Sequence, residues 1–210
     1  MKVLMTTDAV GGVFTYSVQL AANLATLGVR VHMASMGRAL SPEQRAQAEA
    51  AGAALVESDY RLEWMDDPWD DVERAGGWLL GLEHSLRPDV VHVNGYAHAA
   101  LPWAAPALLV AHSCVCSWWR AVLKESAPAR YDRYRAAVAR GLGAARAIVA
   151  PSAAMLRCSS EEYGRVGRPR ISNGRVIHNG IQLGSSSRRP KEPFILAAGR
   201  VWDTAKNILL

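Results

Sequence analysis

The residues best suited to chemistry near the amino terminus form a short loop, 8–13, that contains two adjacent glycines. The loop follows an apolar segment and opens a helical pattern. Gly11 and Gly12 would let the backbone approach a ligand closely, and the amino terminus of a helix offers unpaired N–H groups to an anion. The pattern therefore predicts a ligand-binding loop, and the alternative is a tight turn that binds nothing.

A second candidate is His112, which Ser113 follows directly. Both come after the predicted strand 108–111, and open α/β sheets bind ligands at the carboxyl ends of their strands. A histidine there could donate a hydrogen bond to a substrate hydroxyl or to a phosphate oxygen. The alternative is a histidine satisfied by neighbouring backbone. Asn94, after the predicted strand 90–93, is expected at the same edge.

His112, Cys114 and Cys116 together raise the question of a metal site. Alternate positions at a strand end point successive side chains apart, and the sequence shows no fourth ligand, so we predict no metal. The chain has three cysteines, an odd number that does not suggest a disulfide framework.

Two cations near the carboxyl end form a third candidate. Arg200 follows the predicted strand 194–198, and Lys206 lies in the first turn of a helix predicted from Thr204 onward. These positions would converge on one anion-binding point. Arginine and lysine at the start of a surface helix are usually only solvated, and this alternative stays open.

The elements that must position these residues alternate along the chain between short apolar segments and longer helical patterns. This alternation predicts an α/β protein, a doubly wound, Rossmann-like parallel sheet of six or seven strands. The predicted strands are 2–7, 29–35, 53–58, 90–93, 108–111, 147–150 and 175–177. Helices are predicted at 14–27, from Pro42 after a capping Ser41, at 71–87, 118–124 and 131–145, and after a capping Ser152.

Composition narrows the class of protein. Of 210 residues, 50% are hydrophobic and 20% charged, as in ordinary globular domains. No apolar run has membrane-spanning length and the first residues lack signal-peptide features, so we expect a cytoplasmic protein. The net charge is +5. The basic last third is either solvated surface or a face for phosphates of a nucleotide or of the inner face of the membrane. Its arginines are not interleaved with aromatic residues, so nucleic acid is not a predicted partner.

Several enzyme classes lack their motifs here. The loop 8–13 has neither the three spaced glycines of a dinucleotide site nor an acidic residue after the second strand, which disfavours a nicotinamide dehydrogenase. No glycine precedes a lysine followed by serine or threonine, so there is no P-loop. The serine elbow of α/β hydrolases is also missing.

Taken together, ordered motifs give the chain a resemblance to the retaining two-Rossmann (GT-B) glycosyltransferases, specifically glycosyltransferase family 4. The residues that carry the resemblance are Val10-Gly11-Gly12-Val13, Pro88-Asp89-Val90-Val91-His92, Val110-Ala111-His112-Ser113, Ala150-Pro151-Ser152, Val176-Ile177-His178-Asn179-Gly180-Ile181 and Ala198-Gly199-Arg200-Val201-Trp202-Asp203 with Lys206-Asn207. Each motif alone is weak, whereas their order and spacing are fairly specific.

The resemblance implies transfer of a hexosyl group from a nucleotide sugar to a hydroxyl of a carbohydrate or lipid-linked acceptor. It makes His112, Arg200 and Lys206 the catalytic residues, with the two cations neutralising the departing diphosphate so that no metal or other cofactor is required. The residues implied to bind donor or acceptor are Gly11, Gly12, Asn94, Ser113 and Asn179.

The resemblance also predicts how the chain is organised. Residues 1–180 would form the acceptor-side domain, 181–193 a linker, and 194–210 the truncated start of a donor-binding domain. The paired glutamates that hold the donor in this family belong further along that second domain. The expectation is therefore a truncated glycosyltransferase. The alternative is a non-catalytic module that binds an acceptor and lacks donor chemistry.

Overall fold

The computed structural model of the chain describes residues 1–164, 171, 173–181, 193–199, 201, 204–206 and 208. The strands are β1 (Lys2–Asp8), β2 (Arg30–Met36), β3 (Ala54–Glu57), β4 (Val90–Val93), β5 (Ala107–Val110), β6 (Ala147–Ala150) and β7 (Gly174–Val176). The α-helices are α1 (Gly12–Thr26), α2 (Pro42–Ala50), α3 (Trp69–Leu86), α4 (Tyr96–Ala99), α5 (Val115–Trp118), α6 (Asp132–Ala144) and α7 (Ala153–Tyr163). A π-helix covers Trp119–Leu123, and 3₁₀ turns cover Ala129–Tyr131 and Thr204–Lys206.

The strands that the described residues form make one parallel sheet of seven, in the order β3-β2-β1-β4-β5-β6-β7. The order runs outward from β1 in both directions, which is the doubly wound Rossmann arrangement. The predicted fold class is confirmed. Gly11, Asn94 and His112 all follow carboxyl ends of strands, as expected.

Both faces of the sheet are covered, which explains why its central strands are apolar without alternation. In β1, Met5 packs in a cluster with Phe14 of α1, whereas its neighbour Leu4 packs in another cluster with Leu79 of α3. Leu4 and Met5 are both fully buried. Successive side chains of one strand therefore serve two different cores.

Local stop and start signals behave as the sequence predicts. Gly28 follows α1 with φ of +72°, a left-handed conformation that favours glycine. Ser41 and Gln44 form a reciprocal capping box at α2. The Ser152 hydroxyl accepts the Met155 N–H at 3.1 Å and caps α7.

One sequence prediction of local structure is confirmed with different bounds, and another is wrong. The helical segment predicted at 118–124 begins earlier, at Val115, and changes to a π-helix over Trp119–Leu123, after which Lys124 has a φ of +60°. The predicted strand 194–198 does not form, and Phe194, Ile195 and Leu196 are 65%, 100% and 76% exposed. A strand needs a neighbouring strand to satisfy its backbone, and no sheet edge in the described residues pairs with this segment.

Helix α6 approaches the short helix α4, which the sequence did not predict, more closely than a side chain would allow. A Cβ at Gly141 would collide with the backbone of Tyr96. Glycine at this position therefore lets the two helices touch and places Tyr96 and Tyr134 beside the carboxyl ends of β4 and β5.

Candidate active site at the carboxyl edge of the sheet

The loops that follow β1, β4 and β5 meet at the carboxyl edge and enclose a cavity of about 450 Å³. Asp8, Asn94 and His112 line this cavity, which we call the edge cavity. Parallel strands end at one edge of the sheet, so side chains far apart in the sequence come together here.

Asn94 ties these loops together through its backbone and its side chain. Its N–H donates to Thr6 Oγ1 at 2.9 Å, and its Nδ2 donates to the Thr6 carbonyl at 2.6 Å and to Ser17 Oγ at 3.3 Å. These donations fix which end of the amide is nitrogen. The remaining amide oxygen, Oδ1, lies 3.1 Å from His92 Nε2 and 2.9 Å from His112 Nε2.

This network decides the protonation of His112. An amide oxygen can only accept, so Nε2 of both histidines carries the hydrogen. Burial lowers the pKa of His112 to about 4, and the nearby His92 adds to that effect. The pKa of His92 is also lowered to about 4 by burial. His112 is therefore neutral at physiological pH, with its lone pair on Nδ1.

A neutral His112 can accept a hydrogen bond through Nδ1 but has no second hydrogen to give. In this tautomer Nδ1 can accept a hydrogen bond from a hydroxyl. The predicted donation, to a substrate hydroxyl or to a phosphate oxygen, would need the hydrogen that Nε2 already gives to Asn94. The Tyr16 ring packs edge-on against the imidazole at 4.6 Å between ring centres. His112 is therefore held both by a hydrogen bond and by an aromatic contact.

The glycine loop already holds an anion of its own. Asp8 Oδ1 accepts the N–H of Val10 at 3.1 Å and of Gly11 at 2.8 Å. Neither Gly11 nor Gly12 has a positive φ, and a Cβ on Gly12 would meet nothing within 4 Å. No intramolecular contact requires glycine at position 12, so the bare backbone there leaves open space for an approaching ligand.

Glu63 clamps the segment between β3 and α3 onto the start of α4. Its Oε1 accepts the Tyr96 N–H at 2.8 Å, and its Oε2 accepts the Ala97 N–H at 2.5 Å. These are among the first N–H groups of α4, which have no partner within the helix. Burial raises the pKa of Glu63 to about 7, although the two N–H groups favour the ionised form. The clamp holds the neighbouring Trp64 at the edge cavity.

Aromatic side chains supply much of the remaining lining. The set is Trp64, Tyr96, Trp118, Trp119, Tyr131 and Tyr134. Trp119 lies between Trp118 and Tyr131, with ring centres 6.2 and 6.5 Å away. Arg120, within the π-helix, forms a 2.7 Å ion pair with Glu162 of α7 and anchors this segment. These side chains form one aromatic wall of the edge cavity.

The structure brings most of the sequence-predicted site residues to this edge. His112, Asn94 and Ser113 line the edge cavity, and Gly11 lies in the same loop as Asp8 and Val13, which also line it. Ser113 is exposed, and its carbonyl accepts the Tyr96 hydroxyl at 3.0 Å.

Two predicted site residues do not line the edge cavity, and a third is not among the described residues. Asn179 lines a separate cavity of about 680 Å³ that shares no lining residue with the edge cavity. Lys206 is exposed in its 3₁₀ turn, and Arg200 lies outside the described residues. Their predicted convergence on one anion therefore stays a prediction. Within the described part of the chain, no group of three or more His, Cys, Asp or Glu side chains is arranged to hold a metal.

Sequence reasoning missed Glu63, Tyr16, Thr6 and Ser17. Glu63 belongs to the acidic stretch 57–73, but unlike most of its members it has apolar neighbours on both sides, Leu62 and Trp64. That local context is the one signal of burial in the sequence. Thr6 and Ser17 act through their hydrogen bonds to Asn94, which lies 88 residues after Thr6 and 77 residues after Ser17. No local sequence pattern reveals these contacts.

Comparisons with known proteins agree with this architecture. A glycosyltransferase from Rickettsia africae ESF-5 superposes with a TM-score of 0.59 at 16% identity, over 86% of this chain and 43% of that one. LpCGTa in complex with UDP gives 0.54 at 17% identity, over 87% and 53%. CalG4, the calicheamicin glycosyltransferase, gives 0.51 at 18% identity, over 91% and 55%. The chain thus spans about half the length of these structures. No curated protein matches it.

The doubly wound sheet of this chain matches the fold of these GT-B glycosyltransferase structures. The family model described as Glycosyltransferase Family 4 matches residues 10–184, most of the chain. The chain belongs to glycosyltransferase family 4, which confirms the resemblance. None of the helices in the described residues is both long and apolar enough to cross a membrane.

Proposed function

We propose that this chain forms the acceptor side of an enzyme that transfers a hexosyl group from a nucleotide sugar to an acceptor hydroxyl with retention of configuration. The observation that carries the proposal is the neutral His112, fixed by Asn94 at 2.9 Å beside a cavity at the carboxyl edge. Ligands of open α/β sheets bind at this edge. In this proposal Nδ1 of His112 accepts a hydrogen bond from a sugar hydroxyl and orients it.

The donor phosphates would lie away from the inner part of the glycine loop. Asp8 already occupies the N–H groups of Val10 and Gly11, and a second anion there would meet its carboxylate. The open space over Gly12 remains available to the sugar or the acceptor. We assign neutralisation of the departing diphosphate to Arg200 and Lys206, with no metal or other cofactor, in a protein of the cytoplasm.

The division into residues 1–180, a linker 181–193 and the start of a donor-binding domain at 194–210 is part of the same proposal. It is supported by the share of the GT-B structures that the chain spans, 43% to 55% in the three structures described above. The coding sequence after Leu210 is the direct check, since a second Rossmann domain with paired glutamates would supply the donor site.

The test measures turnover by the full-length product, meaning the protein encoded by the complete gene, with nucleotide-sugar donors. It compares His112→Ala with the surface control His84→Ala. His84 is exposed on α3 and lines no part of the edge cavity. We expect His112→Ala to lower kcat by about a hundredfold, as loss of a preorganised hydrogen-bonding group does. Affinity for the nucleoside diphosphate should stay unchanged, since His112 is assigned to the sugar.

Arg200→Ala and Lys206→Ala should instead weaken binding of the nucleoside diphosphate product and lower turnover. If His112→Ala, Arg200→Ala and Lys206→Ala all turn over like His84→Ala, the assigned site is wrong. A full-length product that binds acceptors in the edge cavity but shows neither donor binding nor turnover would support the non-catalytic acceptor module instead.

A further inference from the structure

We propose that the edge cavity takes an uncharged acceptor, a hydroxyl compound whose body is an aromatic or other apolar ring system, and that it rejects acceptors with a phosphate or carboxylate near the reacting hydroxyl. The proposal rests on the proposed function, because it names the substrate class of the same site.

The charges around the cavity carry the first part of the argument. The chain as a whole is basic, with 24 Lys and Arg against 19 Asp and Glu. In the described part of the chain, however, no lysine or arginine lines the edge cavity, whereas Asp8 and Glu63 do. The lining histidines include His112, whose pKa of about 4 keeps it neutral. Among the described residues, the cavity lining therefore holds carboxylates but no cationic side chain, although the protein as a whole carries a net positive charge.

An anionic acceptor would gain nothing here to replace its lost hydration. Moving a charged group out of water costs several kcal/mol unless a counter-charge meets it. The carboxyl groups that line the cavity are those of Asp8 and Glu63, and like charges brought together cost further free energy. A phosphate-linked lipid, one form of the lipid-linked acceptor expected from the sequence, does not fit these charges.

The shape and chemistry of the lining carry the second part. Six aromatic side chains line the cavity together with the apolar Val13, Met36 and Leu62. Its volume of about 450 Å³ suits a compound of two or three rings. Trp118 is 37% and Trp64 43% exposed, so indole faces are available to a ring entering from solvent.

The experiment uses a matched pair of probes, 2-naphthol and 2-naphthyl phosphate, titrated calorimetrically into the 210-residue chain at pH 7. Methyl β-glucoside is the third probe and represents a carbohydrate acceptor. We expect 2-naphthol to bind with a Kd of roughly 0.1–1 mM, the range for a ligand of this size. The other two should bind at least tenfold more weakly.

Two variants locate the site. Trp118→Ala should weaken 2-naphthol binding by about three- to tenfold, the range of one aromatic contact. Phe194→Ala is the matched control, because Phe194 is 65% exposed and lies outside the cavity. Val13→Lys places a cation in the lining and should raise affinity for 2-naphthyl phosphate about tenfold.

The proposal is overturned if 2-naphthyl phosphate or methyl β-glucoside binds as well as 2-naphthol, if none of the probes binds to the folded chain, or if Trp118→Ala has no more effect than Phe194→Ala.

Failure of this inference can be distinguished from failure of the proposed function. Transfer by the full-length product to a phosphorylated acceptor would refute this inference and leave the proposed function standing. Binding of 2-naphthol through Trp118, in a full-length product with no transferase activity, would do the reverse.

Discussion

Two buried sets of hydrogen bonds, the Asn94 network and the Glu63 clamp, hold the carboxyl edge of the sheet together. A change in pH affects their stabilising contributions in opposite directions. The Asn94 network joins β1, α1, β4 and β5 through a neutral amide and two neutral histidines. The Glu63 clamp joins the β3–α3 segment to α4 through one carboxylate. Burial lowers the pKa of the histidines and raises that of the glutamate, since it penalises the charged form in both cases. The Asn94 network should therefore lose its stabilising contribution as the pH falls, and the Glu63 clamp as the pH rises.

Removing the side chain of Asn94, the centre of the Asn94 network, should have the largest effect on stability. Asn94→Ala leaves the Thr6 carbonyl and two imidazole N–H groups without their partner. Each unsatisfied buried group costs about 1–3 kcal/mol, so we expect a loss on the order of 3 kcal/mol in urea unfolding. Asn23→Ala is the control, since Asn23 is exposed and bonds only within α1. Similar unfolding midpoints for the two variants would show that the network does not support the edge.

Acidification should weaken the Asn94 network. A histidine whose folded pKa lies below its unfolded value of 6.5 stabilises the fold above pH 6.5, and this contribution is lost as pH falls through about 4. One pKa unit corresponds to about 1.4 kcal/mol, so His112, which is partly accessible, should contribute about 2 kcal/mol.

His112→Gln should flatten the pH dependence of the free energy of unfolding between pH 4 and 6.5. His84→Gln, on the surface of α3, should leave that dependence as it is. Parallel curves for wild type and His112→Gln would contradict the neutral, buried state assigned to His112.

The Glu63 clamp should show the opposite sign. Its folded pKa of about 7 lies above the reference value of 4.5, so its stabilising contribution is complete below pH 4.5 and is lost as pH rises through about 7. Negative charge on the Cys114 sulfur also raises the pKa of Glu63. Glu63→Gln cannot ionise and should remove this slope.

The variant keeps one acceptor oxygen and loses the other, so it should also cost about 1 kcal/mol at pH 5. Glu49→Gln, on the exposed face of α2, is the matched control. A free-energy difference between wild type and Glu63→Gln that does not change from pH 4.5 to 7.5 would refute the titration of the clamp.

The smallest effect on stability is expected at Gly12, which belongs to neither the Asn94 network nor the Glu63 clamp. Its position has open space and an ordinary backbone conformation, so Gly12→Ala should leave the fold unchanged or stabilise it by about 0.5–1 kcal/mol. Gly77→Ala, in the exposed part of α3 with equal open space, should behave the same way. Only Gly12→Ala should lower turnover of the full-length product. Equal turnover for both variants would mean that no ligand approaches Gly12.

The sequence predicted the sheet well because its signals are local. Apolar strands such as β1, the capping box of Ser41 and the stop at Gly28 depend on residues a few positions apart. Parallel connectivity then follows from alternating strands and helices, and this places Gly11, Asn94 and His112 at one edge. The ordered motifs were sufficient for the family as well.

The protonation and the contacts of these residues were decided only by the tertiary structure. The sequence predicts His112 as a site residue, but its tautomer depends on Asn94, whose orientation depends in turn on Thr6 and Ser17. The burial that raises the pKa of Glu63, and the π-helix that shapes the aromatic wall, arise from contacts between segments distant in the chain. Secondary structure reflects short-range periodicity, whereas protonation and cavity chemistry depend on which distant groups share a water-poor space.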